Sequence, residues 1–248
     1  MNVRAQEQIV SALLTREDYL RAYMDGGWEQ VPGWLYDGAR QVIRMTDIFQ
    51  KQRGIEGHIG EIGLFRGKLF IMLALMARDQ EKVFGVDLFG TFQSEGDDRL
   101  SVIHENMRQH MGEYPWVDIL TSDSTLVTAA QLQEQVDGKY RLFSVDGGHQ
   151  EPVVFHDLSI AAESLAPGGV ILLDDYFDPG NPEVSVATCR YFAQGDSLIA
   201  PFAIAGNKVF FCEKHAHEAY YQQFSSIAQH AVRNHNMMFG AKIIVYQV

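Results

Sequence analysis

Asp174 and Asp175 stand side by side in ILLDDYF, residues 171–177, just past a Pro-Gly-Gly turn and an apolar run of buried-strand length. Adjacent carboxylates repel, and each loses hydration on partial burial, so the pair is costly unless a cation or another partner sits there. Asp146 closes another such run, YRLFSVD, and His149 follows three residues later in FSVDGGH. If the two runs are neighbouring strands, Asp146, Asp174 and Asp175 share one place, an oxygen-rich set suited to a hard cation such as Mg²⁺. His149 is a candidate general base by its residue type; Asp146 is an equal candidate, and a helix-capping or ligand-orienting role for His149 stays open.

Other runs end on residues of a different kind. HIGEIGLFRGKLF reads as a strand, a turn and a helix, with Gly63 and Gly67 able to admit a ligand to the backbone and Glu61 an acceptor at its edge. The spacing is one residue short of a P-loop, with Leu69 where Ser or Thr is required, and Phe65 replaces the middle glycine of the dinucleotide fingerprint. A ligand without a pyrophosphate fits better. Asp87, in KVFGVDLF, is an acceptor for two ribose hydroxyls, while Asp123 and Ser124, in LTSDS, are suited to an adenine amino group.

These residues need a common frame. Apolar runs HIGEIG, KVFGVDLF, VDILTSD, YRLFSVD and GVILLDD alternate with segments of helical spacing at 68–78, 98–111, 125–136 and 152–165. Strict alternation predicts a parallel sheet covered on both faces, a doubly wound α/β core whose ligand crevice lies beyond the carboxyl ends of the strands. A helix at 183–193 and the hairpin SLIAPFAIAGNKVFFCEK then complete a seven-stranded, mostly parallel sheet. Helices at 3–24 and 38–53 precede this core, joined by a Gly/Pro loop carrying Trp28, Trp34 and Tyr36, which serve either as a lid on the acceptor or as packing for the helices. A helix from 215 and the strand-like KIIVYQV follow it. The expected division is a cap over 1–54, a cofactor-binding core over 55–214 and an extension over 215–248.

Bulk properties narrow the function. A net charge of −12 with no basic stripe argues against nucleic acid as a partner. No apolar run reaches the roughly 20 residues of a membrane span, and the start lacks the features of a secretory signal, so a soluble cytoplasmic protein is expected. Cys189 and Cys212 have no metal or disulfide spacing and read as reduced core thiols. His156 and Asp157 read as surface or packing residues.

EIGLFRGK, GVDLF, TSDS, VDGGH and LAPGGVILLDDYF, in that order, resemble class I S-adenosylmethionine-dependent methyltransferases over roughly residues 55–214. VDGGH with PGGVILLDDYF, and VPGWL ahead of the core, most resemble the macrocin-type O-methyltransferases that act on sugars. The resemblance implies that Glu61, Gly63 and Gly67 form the methionine-side loop, that Asp87 binds the ribose, and that Asp123 and Ser124 lie near the adenine. It also implies a divalent metal held by Asp146, Asp174 and Asp175. The expected activity is methyl transfer to a hydroxyl of a small molecule, a sugar or glycosylated natural product, with Mg²⁺. Two other readings stay open: an iron-dependent hydroxylase of an antibiotic-like scaffold on the same fold, and a non-catalytic cofactor-binding protein. The appendages are also plausible contacts for a homo-oligomer.

Overall fold

The computed structural model describes residues 14–90, 98–227 and 232–247. Residues 3–13 of the expected first helix lie outside them. The cap is α1 (Arg16–Ala22), running into a π-helical segment at Tyr23–Gly27, and α2 (Asp37–Gln52). Thr15 opens α1 with a capping box, in which its side chain and that of Asp18 each accept from the other's backbone.

The core alternates as the apolar runs predict: β1 (His58–Ile62), α3 (Lys68–Met76), β2 (Val83–Asp87), α4 (Arg99–Met111), β3 (Val117–Thr121), α5 (Ala129–Val136), β4 (Tyr140–Val145), α6 (Glu151–Ser164) and β5 (Leu165–Leu173). Next come α7 (Pro182–Ala193), β6 (Ile199–Ala205) and β7 (Lys208–Glu213), then α8 (His217–Ser226), β8 (Val232–Met238) and β9 (Ala241–Tyr246). The sheet has nine strands, in the order β3-β2-β1-β4-β5-β7-β6-β9-β8, rather than the seven expected. The first seven form the expected core, and β7 is antiparallel to both β5 and β6. The additional pair is a hairpin, with β9 lying parallel to β6 and β8 at the edge.

Both faces of the sheet are covered. On one, every residue of α3 from Leu69 to Met76 is buried, in one apolar cluster that also takes in Val42 and Ile43 of α2, Met107 of α4 and Tyr220 and Phe224 of α8. On the other, Leu132, Val136, Leu158 and Ala161 pack on Phe143 and Ile171. Strand order reverses between β1 and β4, so the crevice opens above their carboxyl ends.

Cap, core and tail meet at Arg141, which is fully buried near the amino end of β4. Its guanidinium donates to Glu81 Oε1 and Oε2 (2.7 and 2.8 Å), to Gln50 Oε1 (2.8 Å) and pairs with Asp47 Oδ1 (3.0 Å). Gln50 also donates to Tyr220 Oη (3.1 Å), whose hydroxyl donates to the Gly168 carbonyl (2.7 Å). Cys212 is buried as expected, but Cys189 is exposed on α7, because its helical position points away from the apolar face formed by Val184, Ala187, Thr188 and Tyr191. Among the described residues, no helix is long and apolar enough to cross a membrane.

Candidate active site

The turns that follow β1, β2 and β5 all contain strained backbone. Phe65, Phe89 and Asp175 adopt left-handed φ values of 50°, 51° and 56°, a region that side-chain-bearing residues enter only where the surroundings over-determine it. Asp87 supplies much of that determination. Leu64 and Phe65 both donate their N–H to Asp87 Oδ2 (2.7 and 2.9 Å), and Phe89 N–H donates to Oδ1 (2.7 Å). Asp87 thus shapes the loop after β1 from the end of β2.

The glycines of that loop are demanded by protein contacts. A Cβ on Gly63, at φ 86°, would lie 1.8 Å from the Asp146 carbonyl oxygen, so only glycine lets the β1 and β4 exits touch. Gly67, at φ 87°, would meet the Ile103 side chain at 2.9 Å and begins α3. Glu61 is buried on β1, opposite Ser144 of β4 in register, and its Oε2 has no partner. Burial pushes its carboxyl up to about 8.

Asp123 is exposed and accepts from the Thr125 N–H and hydroxyl (2.9 and 2.7 Å), which holds it below the usual carboxylate range. Ser124 Oγ donates to Asp157 Oδ2 (3.0 Å). Asp157 is a residue that the sequence reading left among packing groups. It is fully buried, its Oδ1 is unpartnered, and burial pushes it up to about 7. Its signal was the polar position in a helix otherwise apolar on that face, among Val154, Leu158 and Ala161.

Asp146, Asp174 and Asp175 do come together, but not as one convergent set. Asp146, His149 and Asp175 each offer a ligand atom within 4.8 Å of the others. His149 Nε2 lies 3.3 Å from Asp175 Oδ2, while Asn181 and Asn207 donate to Asp175 Oδ2 (3.1 Å) and Oδ1 (2.8 Å). Asp174 instead pairs with Lys208 Nζ at 2.7 Å, and the same ammonium lies 3.9 Å from Asp146 Oδ2. Lys208, only 1% exposed, escaped the sequence reading. It opens the second strand of a hairpin whose turn, Ala-Gly-Asn, returns to the carboxyl edge; a lysine heading an apolar strand there was the available signal.

Charge in this cluster is finely divided. Burial and the neighbouring Asp174 charge hold Asp146 well above the ordinary carboxylate range. Burial acts on Asp174 in the same sense and is the largest single effect, but the Lys208 charge together with hydrogen bonds from Asp146, Lys208 and the Asp175 backbone outweighs it and Asp174 is lowered, while Lys208 is raised by its carboxylates against its own burial. A divalent ion shared by Asp146 and Asp174 would be opposed by that ammonium, whose charge already sits against both carboxylates. The three-carboxylate set therefore does not fit Mg²⁺ while Lys208 is in place.

The N-terminal aromatic loop lies over this edge. Trp34, 81% exposed, packs on Phe65 with centroids 5.6 Å apart, and a Cβ on Gly206 would touch Tyr36 Cβ at 2.8 Å. Trp28 is held between Arg40 and Lys68. A cavity of about 750 Å³ exists elsewhere, lined by Cys189, Phe192, His217, Met237 and Phe239 at the far edge of the sheet, and contains none of the crevice residues.

Comparison with known proteins agrees with this geometry. Residues 61–176 match the family model described as a methyltransferase domain. The match runs from within β1 to just past β5, the part of the fold that carries the crevice residues. Similar solved structures include the O-methyltransferase NovP, at 18% identity over 70% of this chain and 78% of that one, with a TM-score of 0.55. An O-methyltransferase from Bacillus cereus in complex with SAH has 16% identity over 85% and 97%, with a TM-score of 0.54. CalS11, a TDP-rhamnose 3'-O-methyltransferase of calicheamicin biosynthesis, has 14% identity over 79% and 93%, with a TM-score of 0.54. No curated protein matches the sequence significantly.

Proposed function

We propose that this chain transfers the methyl group of S-adenosylmethionine to a hydroxyl oxygen of a small molecule, a sugar or a glycosylated natural product. The observation that carries the reading is the His149–Asp175 pair: an imidazole nitrogen 3.3 Å from a carboxylate, at the exits of β4 and β5, partly open to solvent. Methyl transfer is an in-line displacement, so the acceptor oxygen must be aligned and relieved of its proton. As the oxygen–carbon bond forms and the carbon–sulfur bond breaks, the hydroxyl proton passes to His149 Nδ1, the ring nitrogen that does not face Asp175, and Asp175, opposite the Nε2–H, stabilises the resulting imidazolium. Sulfur leaves uncharged, in S-adenosylhomocysteine.

Glu61, with its unpartnered oxygen, suits the cofactor's ammonium; Gly63 and Gly67 shape that loop; Asp87 suits the ribose; Ser124 and Asp123 suit the adenine. Trp34 and Tyr36 offer exposed ring faces to the apolar face of a sugar. The likeness to a TDP-rhamnose methyltransferase supports the same substrate class. Mg²⁺, expected from the sequence, takes no part in this reading because Lys208 sits on two of its ligands.

Two measurements test it. Calorimetric titration with S-adenosylhomocysteine should show binding to the native chain, weakened at least about tenfold by Asp87→Ala, which loses both the ribose acceptor and the loop contacts. Label transfer from methyl-labelled cofactor to a panel of sugar nucleotides and glycosides should give a product whose formation His149→Ala slows by about 10²-fold or more, with cofactor affinity unchanged. No binding by the native chain would remove the methyltransferase reading.

A further inference from the structure

We propose that Lys208 is the resident cation of this site: its ammonium holds Asp146 and Asp174 where a divalent metal would otherwise bind, and methyl transfer runs without one. The inference rests on the methyltransferase reading for the reaction, but on geometry alone for the cation.

Three observations carry it. Lys208 is buried, so its ammonium has exchanged water for protein partners and does not reach to the surface. Those partners are the two carboxylates that lead out of β4 and β5, at 3.9 and 2.7 Å. The turn that carries it is itself fixed: Asn207 donates to Asp175 Oδ1 (2.8 Å), and Gly206, at φ 60°, is pressed against Tyr36. Burying a lysine is expensive unless it is paired, and leaving Asp146 and Asp174 together without a cation is equally so. One ammonium meets both needs. Asp174 is buried against the ammonium, whereas the Asp146 side chain is 28% exposed, so Lys208 does not close off the cluster to a hydroxyl donor.

The arrangement has a consequence for the acceptor. A bound metal favours two vicinal hydroxyls as a chelating pair, whereas carboxylates already held by a lysine can receive a single hydroxyl as a hydrogen-bond donor. Lys208 acts through Asp146 and Asp174 and is a positioning residue.

Mn²⁺ is the probe, followed by electron paramagnetic resonance on the full chain, without any acceptor. The native protein should take up no Mn²⁺ at this site up to about 1 mM, the weak end of protein affinities for hard cations. Lys208→Ala should gain one Mn²⁺ site, and adding Asp146→Asn should abolish it. Lys208→Met, closer in volume, replaces the alanine variant if the latter does not fold. Saturable Mn²⁺ binding by the native chain that Asp146→Asn removes would overturn the proposal, whatever the variants do. A folded lysine variant that still takes up no Mn²⁺ would overturn it too, because the ammonium would then not be standing in a cation's place. Titration with S-adenosylhomocysteine on the same samples keeps the two readings apart: its failure removes the methyltransferase reading and leaves the metal result to be judged alone.

Discussion

Glu61 is the residue whose protonation should be read most directly. Its carboxyl is pushed up to about 8 by burial, while the unfolded chain ionises it near 4.5. A raised folded value means that the folded state keeps a proton that the unfolded state loses. The corresponding stability is complete below about pH 4.5 and is lost as pH rises toward and through 8. The expected loss is on the order of a few kcal/mol for the cofactor-free protein. Glu61→Gln removes the ionisation but keeps the shape, so its urea denaturation midpoint should vary less between pH 5 and 8.5 than that of the native chain. Parallel pH profiles for the two proteins would show that Glu61 carries no such shift. Cofactor binding to the native protein near pH 7 should release a proton, measurable by calorimetry in buffers of different ionisation enthalpy, because the cofactor's ammonium favours the carboxylate.

At the scale of elements, the strands were legible wherever burial on both faces left a plain apolar run, as in VFGVD of β2 and YRLFSV of β4. Strand β8 was not, because VRNHNMM lies at the sheet edge with most of its residues exposed and shows neither an apolar run nor a clean alternation. The same logic explains the site. Carboxylates at strand exits announce themselves by position, so Asp87, Asp146, Asp174 and Asp175 could be found; Lys208 enters from an antiparallel strand, and its role appears only once the order β5-β7-β6 is known. Gly63 and Gly67 read as ligand-facing, yet the contacts that forbid a side chain there come from Asp146 and Ile103, residues distant in sequence. Helix α8 shows how much an appendage contributes. Tyr220 and Phe224 are fully buried against Phe49 and Phe202, so the extension is part of the core. Tyr220→Phe should cost about 1–3 kcal/mol by leaving the Gly168 carbonyl without its donor. Tyr220→Ala should cost about 3–5 kcal/mol through the cavity as well. Chemical denaturation of both variants checks the difference; equal values would mean that packing, and not the hydroxyl, ties down the tail.

For the whole molecule, the question is whether cap, core and tail unfold together, and Arg141 decides it. Its guanidinium bonds Glu81 beside the core, Asp47 and Gln50 of α2, and reaches Tyr220 of α8 through Gln50. The cap thus docks on the end of the sheet away from the crevice through α2, while its Trp34 and Tyr36 loop reaches over the carboxyl edge. One cap spans both ends. Arg141→Met fills much of the same volume but takes from Glu81 and Asp47, both buried, the guanidinium they share, leaving them only the more exposed Arg78 and Arg44, at a cost of up to about 3–5 kcal/mol. The native chain should melt in a single calorimetric transition with equal van't Hoff and calorimetric enthalpies. In Arg141→Met the melt should move down and broaden, with tryptophan fluorescence, reporting Trp28 and Trp34 of the cap and Trp116 of the core, changing before far-ultraviolet circular dichroism. Coincident probes in the variant would mean that apolar packing of α2, through Val42, Ile43 and Phe49, suffices to couple the cap to the core. Separation of the probes would assign that coupling to the buried ion network, and would predict that S-adenosylhomocysteine, bound under the cap's loop, restores a single transition.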